Sequence, residues 1–118
     1  MYARGDVAGA SDGQLLPPGT QVEAAVSALR MLGDPTRLRL LWLLRDGEHD
    51  VTSLAATVGA ARPAVSQHLA KLVLAGLVAA RPDGRRRLYR ARGAHVRRMV
   101  VEALHAADHH VTGAPDHD

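Results

Sequence analysis

The chain has 118 residues, carries 15 Lys and Arg against 12 Asp and Glu, and is 47% hydrophobic with one Trp, two Tyr and no Phe. That is the size of one domain, and its core must be built from Leu, Val and Ala. The lack of cysteine excludes disulfides and thiolate metal sites, and no apolar run is long enough to span a bilayer or serve as a secretion signal, so a cytoplasmic protein is expected.

Residues 1–20 are rich in Gly, Asp and Ser and close in Pro17-Pro18-Gly19, which reads as a disordered tail. From Gln21 to Leu32 the apolar residues Val22, Ala25, Val26, Leu29 and Leu32 share one face, predicting an amphipathic helix ended by Gly33. Asp34 then offers a side-chain cap and Pro35 suits a first helical position. Leu38, Leu40, Leu41, Trp42, Leu43 and Leu44 follow, and a helix apolar on nearly every side belongs at the centre of the core. Asp46-Gly47 stops it.

Two helices in quick succession come next. Val51 to Val58 has apolar Val51, Leu54, Ala55 and Val58, and Gly59-Ala60-Ala61 makes a tight connection. In Ala61 to Val78, Val65, Leu69, Leu72 and Val73 form an apolar stripe while Gln67 and Lys71 lie opposite. Pro63 is expected at the first helical position, and Gly76 can end the helix in a left-handed conformation. Short helix, glycine turn and second helix make a helix-turn-helix, with the second helix placed for recognition.

After Gly76, two extended runs, Leu77 to Arg81 and Arg85 to Ala91, flank the turn signal Pro82-Asp83-Gly84, predicting a β-hairpin. Arg81, Arg85, Arg86, Arg87 and Arg90 concentrate positive charge on it. Beside a recognition helix, such a hairpin is a wing whose guanidinium groups can neutralise phosphates or enter a minor groove; the alternative is an ordinary solvated charge run. Ala94 to His110 returns to helical spacing, with Val96, Met99, Val100, Ala103, Leu104 and Ala107 on a wide apolar face. This face and that of the first helix call for a second copy of the chain, so a homodimer is expected. Residues 111–118 form a second tail.

The expected fold is mainly α with a small β-hairpin, a dimeric winged helix-turn-helix spanning 21–110. The segments LGDPTRLRLLWLL (32–44), VTSLAATVG (51–59), AVSQHLAKLVLAGLV (64–78) and DGRRRLYR (83–90) resemble the ArsR/SmtB family of bacterial metal-responsive winged-helix transcription regulators. The resemblance implies a homodimer whose recognition helices read successive major grooves of an inverted-repeat operator as a repressor, with metal bound at a separate site altering affinity for double-stranded DNA.

On the DNA side, Gln67 and His68 lie in the first turns of the recognition helix, where base edges are read. Gln67 can bridge adenine N6 and N7, which makes it the best candidate for direct readout. Arg62, Ser66, Lys71, Arg85, Arg86 and Arg87 are expected on phosphates, where they position rather than specify. His68 also borders the apolar stripe, and internal packing is its alternative role.

Five of the seven histidines, His95, His105, His109, His110 and His117, fall in the last helix and tail, with Glu102, Asp108, Asp116 and Asp118 among them. His95, Glu102 and His109 share one flank of the helix, yet His95 and His109 are about 21 Å apart along its axis, too far to meet on one ion. Antiparallel terminal helices crossing near Glu102 in a dimer would bring His95 of one protomer beside Asp108 and His109 of the other, and His110 or His117 could add ligands. An ion tying those helices together would bias the spacing of the recognition helices.

The family resemblance implies a metal at such a pair of terminal helices. The zinc pattern of the family opens with Asp where this chain has Gly93 and expects a second His at Ala106, so zinc is disfavoured. An acid–histidine pair matching Asp108-His109, with extra tail histidines, is similar to the nickel and cobalt branch, and nitrogen and oxygen ligands suit Ni(II) or Co(II). The alternatives are a solvated histidine cluster that takes up metal adventitiously, or a DNA-binding subunit controlled by a regulatory partner protein or another ligand. An enzyme is not expected: the sequence has no phosphate-binding Gly loop, no His-Glu-x-x-His and no recognisable Ser-His-Asp set.

Overall fold

Local capping signals set the helix boundaries. In a computed structural model that describes residues 15–112, the elements run α1 (Gly19–Leu32), α2 (Pro35–Leu44), α3 (Val51–Val58), α4 (Arg62–Leu74), β1 (Val78–Asp83), β2 (Arg86–Ala91) and α5 (Gly93–Thr112). The tails expected at 1–20 and 111–118 lie largely outside the described residues. Asp34 caps α2, its Oδ2 accepting from Arg37 N at 3.0 Å with Pro35 behind it, as the sequence predicts. α4 has Ala61 before it and no side-chain cap, and Pro63 stands second rather than first in the helix. Gly76, at φ 80°, closes α4: its N–H donates to Val73 O and that of Leu77 to Leu72 O, both at 3.0 Å, which is a Schellman motif.

The chain divides into one compact unit ending at Arg30 and another beginning at Met31. The first contains most of α1, on which Val22, Val26 and Leu29 fall at i, i+4 and i+7 and are all exposed. The second is built around α2, which packs against α3, α4, α5 and β2. Leu40, Leu41 and Leu44 of α2, Leu54 of α3, and Val65, Leu69 and Leu72 of α4 are buried. Val73, expected in that stripe, lies at its edge and is exposed, because the helix has already turned past the core. On α5, Val96 and Val100 are buried, but Met99 and Leu104 are half-covered and Ala103 and Ala107 exposed. Its apolar face is wider than α2 can cover.

The hairpin differs from expectation at its turn. Strands β1 and β2 pair antiparallel with Asp83 opposite Arg86, leaving only Gly84 and Arg85 in the loop, and Gly84 supplies the positive φ (64°) that a two-residue loop needs. Pro82 is therefore inside β1, opposite Arg87. One step from the closing pair is a non-hydrogen-bonded position, where a missing N–H costs no ladder bond. A second difference lies before α3. His49 exchanges backbone hydrogen bonds with Tyr89, N to O at 3.0 Å and 2.9 Å, so Glu48-His49-Asp50 lies along the free edge of β2.

Candidate nucleic-acid interface

The buried side of α4 fixes what the other side presents. With Val65, Leu69 and Leu72 fully enclosed, Gln67 projects from the opposite face, Lys71 follows one turn later, and both are exposed. Arg62 and Ser66 occupy the flank nearer the hairpin. His68 turns the other way: its side chain is only 24% exposed, and its Nδ1 lies 4.0 Å from Asp34 Oδ2, buried and without a hydrogen-bond partner. Gln67 and His68, adjacent in sequence, thus face different surroundings, one open and one against the cap of α2.

Between the start of α4 and the hairpin is an open cleft of about 700 Å³, lined by Arg62 and Ser66 on one side and by Arg85, Arg86, Arg87 and Tyr89 on the other. Four guanidinium groups around one concave surface suit a polyanion. They are not equivalent. Alternate residues of a strand point to opposite faces, so Arg81, Arg86, Leu88 and Arg90 share one face of the hairpin while Arg87 and Tyr89 share the other. The second face borders α4, where Arg87, Tyr89 and Ala80 adjoin Ala70, Val73 and Leu74.

On the first face the arginines meet carboxylates. Arg81 makes a bidentate pair with Glu48, Nε to Oε2 at 2.7 Å and Nη2 to Oε1 at 2.9 Å. Arg86 reaches Asp50 Oδ2 through Nη1 and Asp83 Oδ2 through Nε, each at 3.1 Å. Asp50 also caps α3, its Oδ1 accepting from Ser53 N at 2.8 Å. The Arg81 hydrogen bond holds the Glu48 carboxyl below its ordinary range; the Ser53 amide, then Arg86, does the same for Asp50. Sequence reasoning does not single out Glu48 or Asp50 as part of the interface. Asp immediately before an apolar helical run is a cap signal that identifies Asp50, but nothing local identifies Glu48.

The metal candidates are spread along α5. His95 Nδ1 accepts from Arg98 Nη2 at 2.9 Å, Glu102 lies 3.8 Å from His105, and His109 is half-buried while Asp108 and His110 are exposed. Among the described residues no three His, Cys, Asp or Glu side chains converge as a metal site. His117 lies outside the described residues. The donors are nitrogen and oxygen only, and with His95 near the start of α5 and Asp108, His109 and His110 near its end, one helix does not bring them together. No helix among the described residues is long and apolar enough to cross a membrane.

Comparison with known proteins bears on this geometry. Residues 34–80 match the family model described as bacterial regulatory protein, arsR family. The chain is 47% identical over 100 residues to the HTH-type transcriptional regulator KmtR of Mycobacterium tuberculosis, covering 85% of this chain and 77% of that protein. It is 37% identical over 101 residues to NmtR, an HTH-type transcriptional regulator of the same organism, covering 85% and 84%. Among solved structures it is similar to the homodimeric winged helix-turn-helix DNA-binding domain of a possible ArsR-family regulator from Mycobacterium bovis. That match has a TM-score of 0.76 and 30% identity, covering 95% of this chain and all of that one.

Proposed function

The chain belongs to the bacterial arsR family of regulatory proteins and is a DNA-binding winged-helix transcription regulator, not an enzyme; we propose that it acts as a homodimeric repressor on an inverted-repeat operator and responds to nickel or cobalt. The observation that carries the DNA half is the exposed Gln67–Lys71 face of α4, backed by a fully buried stripe and flanked by the arginine-lined cleft. In this reading Gln67 reads a base edge in the major groove, and Arg62, Ser66, Lys71, Arg85 and Arg87 take phosphates. His68, held against Asp34, orients α4 on α2.

Dimerisation is supported by the exposed apolar positions of α1 and the half-covered face of α5. A closed two-fold dimer presents two recognition helices related by symmetry, and an inverted repeat mirrors that symmetry. His95 of one protomer with Asp108 and His109 of its partner would hold the ion, joined by His110 or His117 and with Glu102 nearby. Bound there, the metal supplies a cross-link between protomers. The residues themselves set its chemistry: imidazole and carboxylate donors without thiolate favour Ni(II) or Co(II) over softer ions.

The DNA half is tested by enriching duplexes from a random-sequence pool with the purified protein. The expected product is an inverted repeat with half-sites about one helical turn apart, near 34–36 Å, bound by a species of twice the chain mass. Enrichment of a single asymmetric site by a monomer would overturn the dimeric reading.

A further inference from the structure

The hairpin carries five arginines, and the structure separates four of them by partner or place. Arg81 on β1 is engaged by Glu48, and Arg86 on β2 by Asp50 and Asp83, whereas Arg85 is in the loop and Arg87 lies on the face toward α4. Glu48 and Asp50 flank His49, whose backbone is bonded to Tyr89, so a single three-residue segment grips the hairpin at three points: one ion pair to each strand and a backbone bridge. The same segment starts α3, because Asp50 is its N-cap. A two-stranded hairpin has little rigidity of its own. Its angle to the helix-turn-helix is set by what holds it along its length.

We propose that Glu48–Arg81 and Asp50–Arg86 form a clamp that positions the wing, so that Arg81 and Arg86 act as positioning residues while Arg85 and Arg87 deliver charge to the DNA backbone. The inference rests on the winged-helix DNA-binding reading above. Arg86 already sets its charge against two carboxylates, and a phosphate that drew it away would leave Asp50 without its counter-charge beside that phosphate. Asp50 would give up its bond to the Ser53 amide if it swung aside. The directions of the shifts agree: both guanidinium groups are raised by their hydrogen bonds to the carboxylates, Glu48 is held low by Arg81, and Asp50 is held low by the Ser53 amide and then by Arg86.

The test uses the full-length protein and a fluorescein-labelled duplex carrying the inverted repeat that the protein itself enriches. The clamp is broken by the double variant Glu48→Gln, Asp50→Asn. Asn still caps α3 through its oxygen but presents an amide to Arg86, and surface ion pairs contribute little to folding, so the variant remains folded, as circular dichroism will verify. Affinity is measured across a salt series, because each phosphate left without its cationic partner reduces the slope of log K against log salt by about 0.9.

In the wild-type background, Arg85→Ala with Arg87→Ala should reduce the slope by about 1.8. In the clamp-broken background the same pair should reduce it by less than half as much, and Arg86→Ala added to Arg85→Ala, Arg87→Ala should leave the slope where that pair puts it. A loss of stability alone would not move these slopes. Three results would overturn the proposal: an unchanged effect of the Arg85 and Arg87 substitutions without the clamp, a further slope loss of about 0.9 from Arg86→Ala in the Arg85→Ala, Arg87→Ala background, or tighter binding by Asp50→Asn. Failure of the wild-type protein to enrich any duplex would instead remove the DNA reading beneath it.

Discussion

His68 Nδ1, on the recognition helix, lies 4.0 Å from the Asp34 carboxylate that caps α2. One carboxylate therefore serves two neighbours: it fixes where α2 begins and forms part of the wall against which α4 rests. Because α2 packs against most of the second unit, its first turn is a reference point for the recognition helix.

Asp34→Ala should lower Tm by about 5 °C, the effect of losing one helix cap in a domain of this size. Asp34→Asn, which keeps a capping oxygen, should lower it much less. Thermal unfolding by circular dichroism distinguishes them, and equal losses would show that the charge facing His68, rather than the cap, is what matters.

Acid should unfold the protein through the same class of groups. The carboxyls of Asp34, Glu48 and Asp50 are all held below the ordinary range, by the amide of Arg37, the guanidinium of Arg81 and the amide of Ser53 respectively. Each binds a proton less readily in the folded chain than in the unfolded one. Their stabilisation is fully present above the unfolded values near pH 4 and is lost as pH falls through the depressed folded values. Urea midpoints should be flat from about pH 7 to 5 on account of these groups and fall below about pH 4. Glu48→Gln with Asp50→Asn should have a shallower acid limb; an unchanged limb would contradict the assignment.

Gln67 and Lys71 should fail in different ways. Gln67→Ala should cost about 1–3 kcal/mol on the enriched duplex and relax preference at one base position per half-site. Lys71→Ala should weaken binding about equally on all sequences and reduce the salt slope by about 1. Repeating the enrichment with each variant and comparing the base preferences checks both.

The parts of this fold that are legible in the sequence are those set by local chemistry. Asp34-Pro35, Gly59 and Gly76 each act within a few residues, and α2, α3 and the end of α4 fall where those residues put them. Pro82 has the composition of a turn yet lies inside β1, because its tolerance there depends on the register opposite Arg87, which local composition does not carry. The Glu48–Arg81 and Asp50–Arg86 pairs join residues 33 and 36 positions apart, brought together only once His49 bonds to Tyr89. The histidines of α5 stand out by number, yet one helix spreads them along its length, and the site they would make needs a second chain.

Switching by a metal held between the terminal helices is what separates the proposed regulator from a DNA-binding subunit that senses nothing itself. Anisotropy with the enriched duplex at one fixed salt concentration, with and without stoichiometric Ni(II), Co(II) or Zn(II), distinguishes the two. The expected result is a change of tenfold or more with Ni(II) or Co(II), equivalent to about 1.4 kcal/mol of coupling. In the His95→Ala, His109→Ala variant that response should vanish while the metal-free affinity and the dimer are retained. Tight, sequence-specific binding that is indifferent to all three ions would contradict the metal switch, leaving a winged-helix regulator whose signal comes from another ligand or a partner protein.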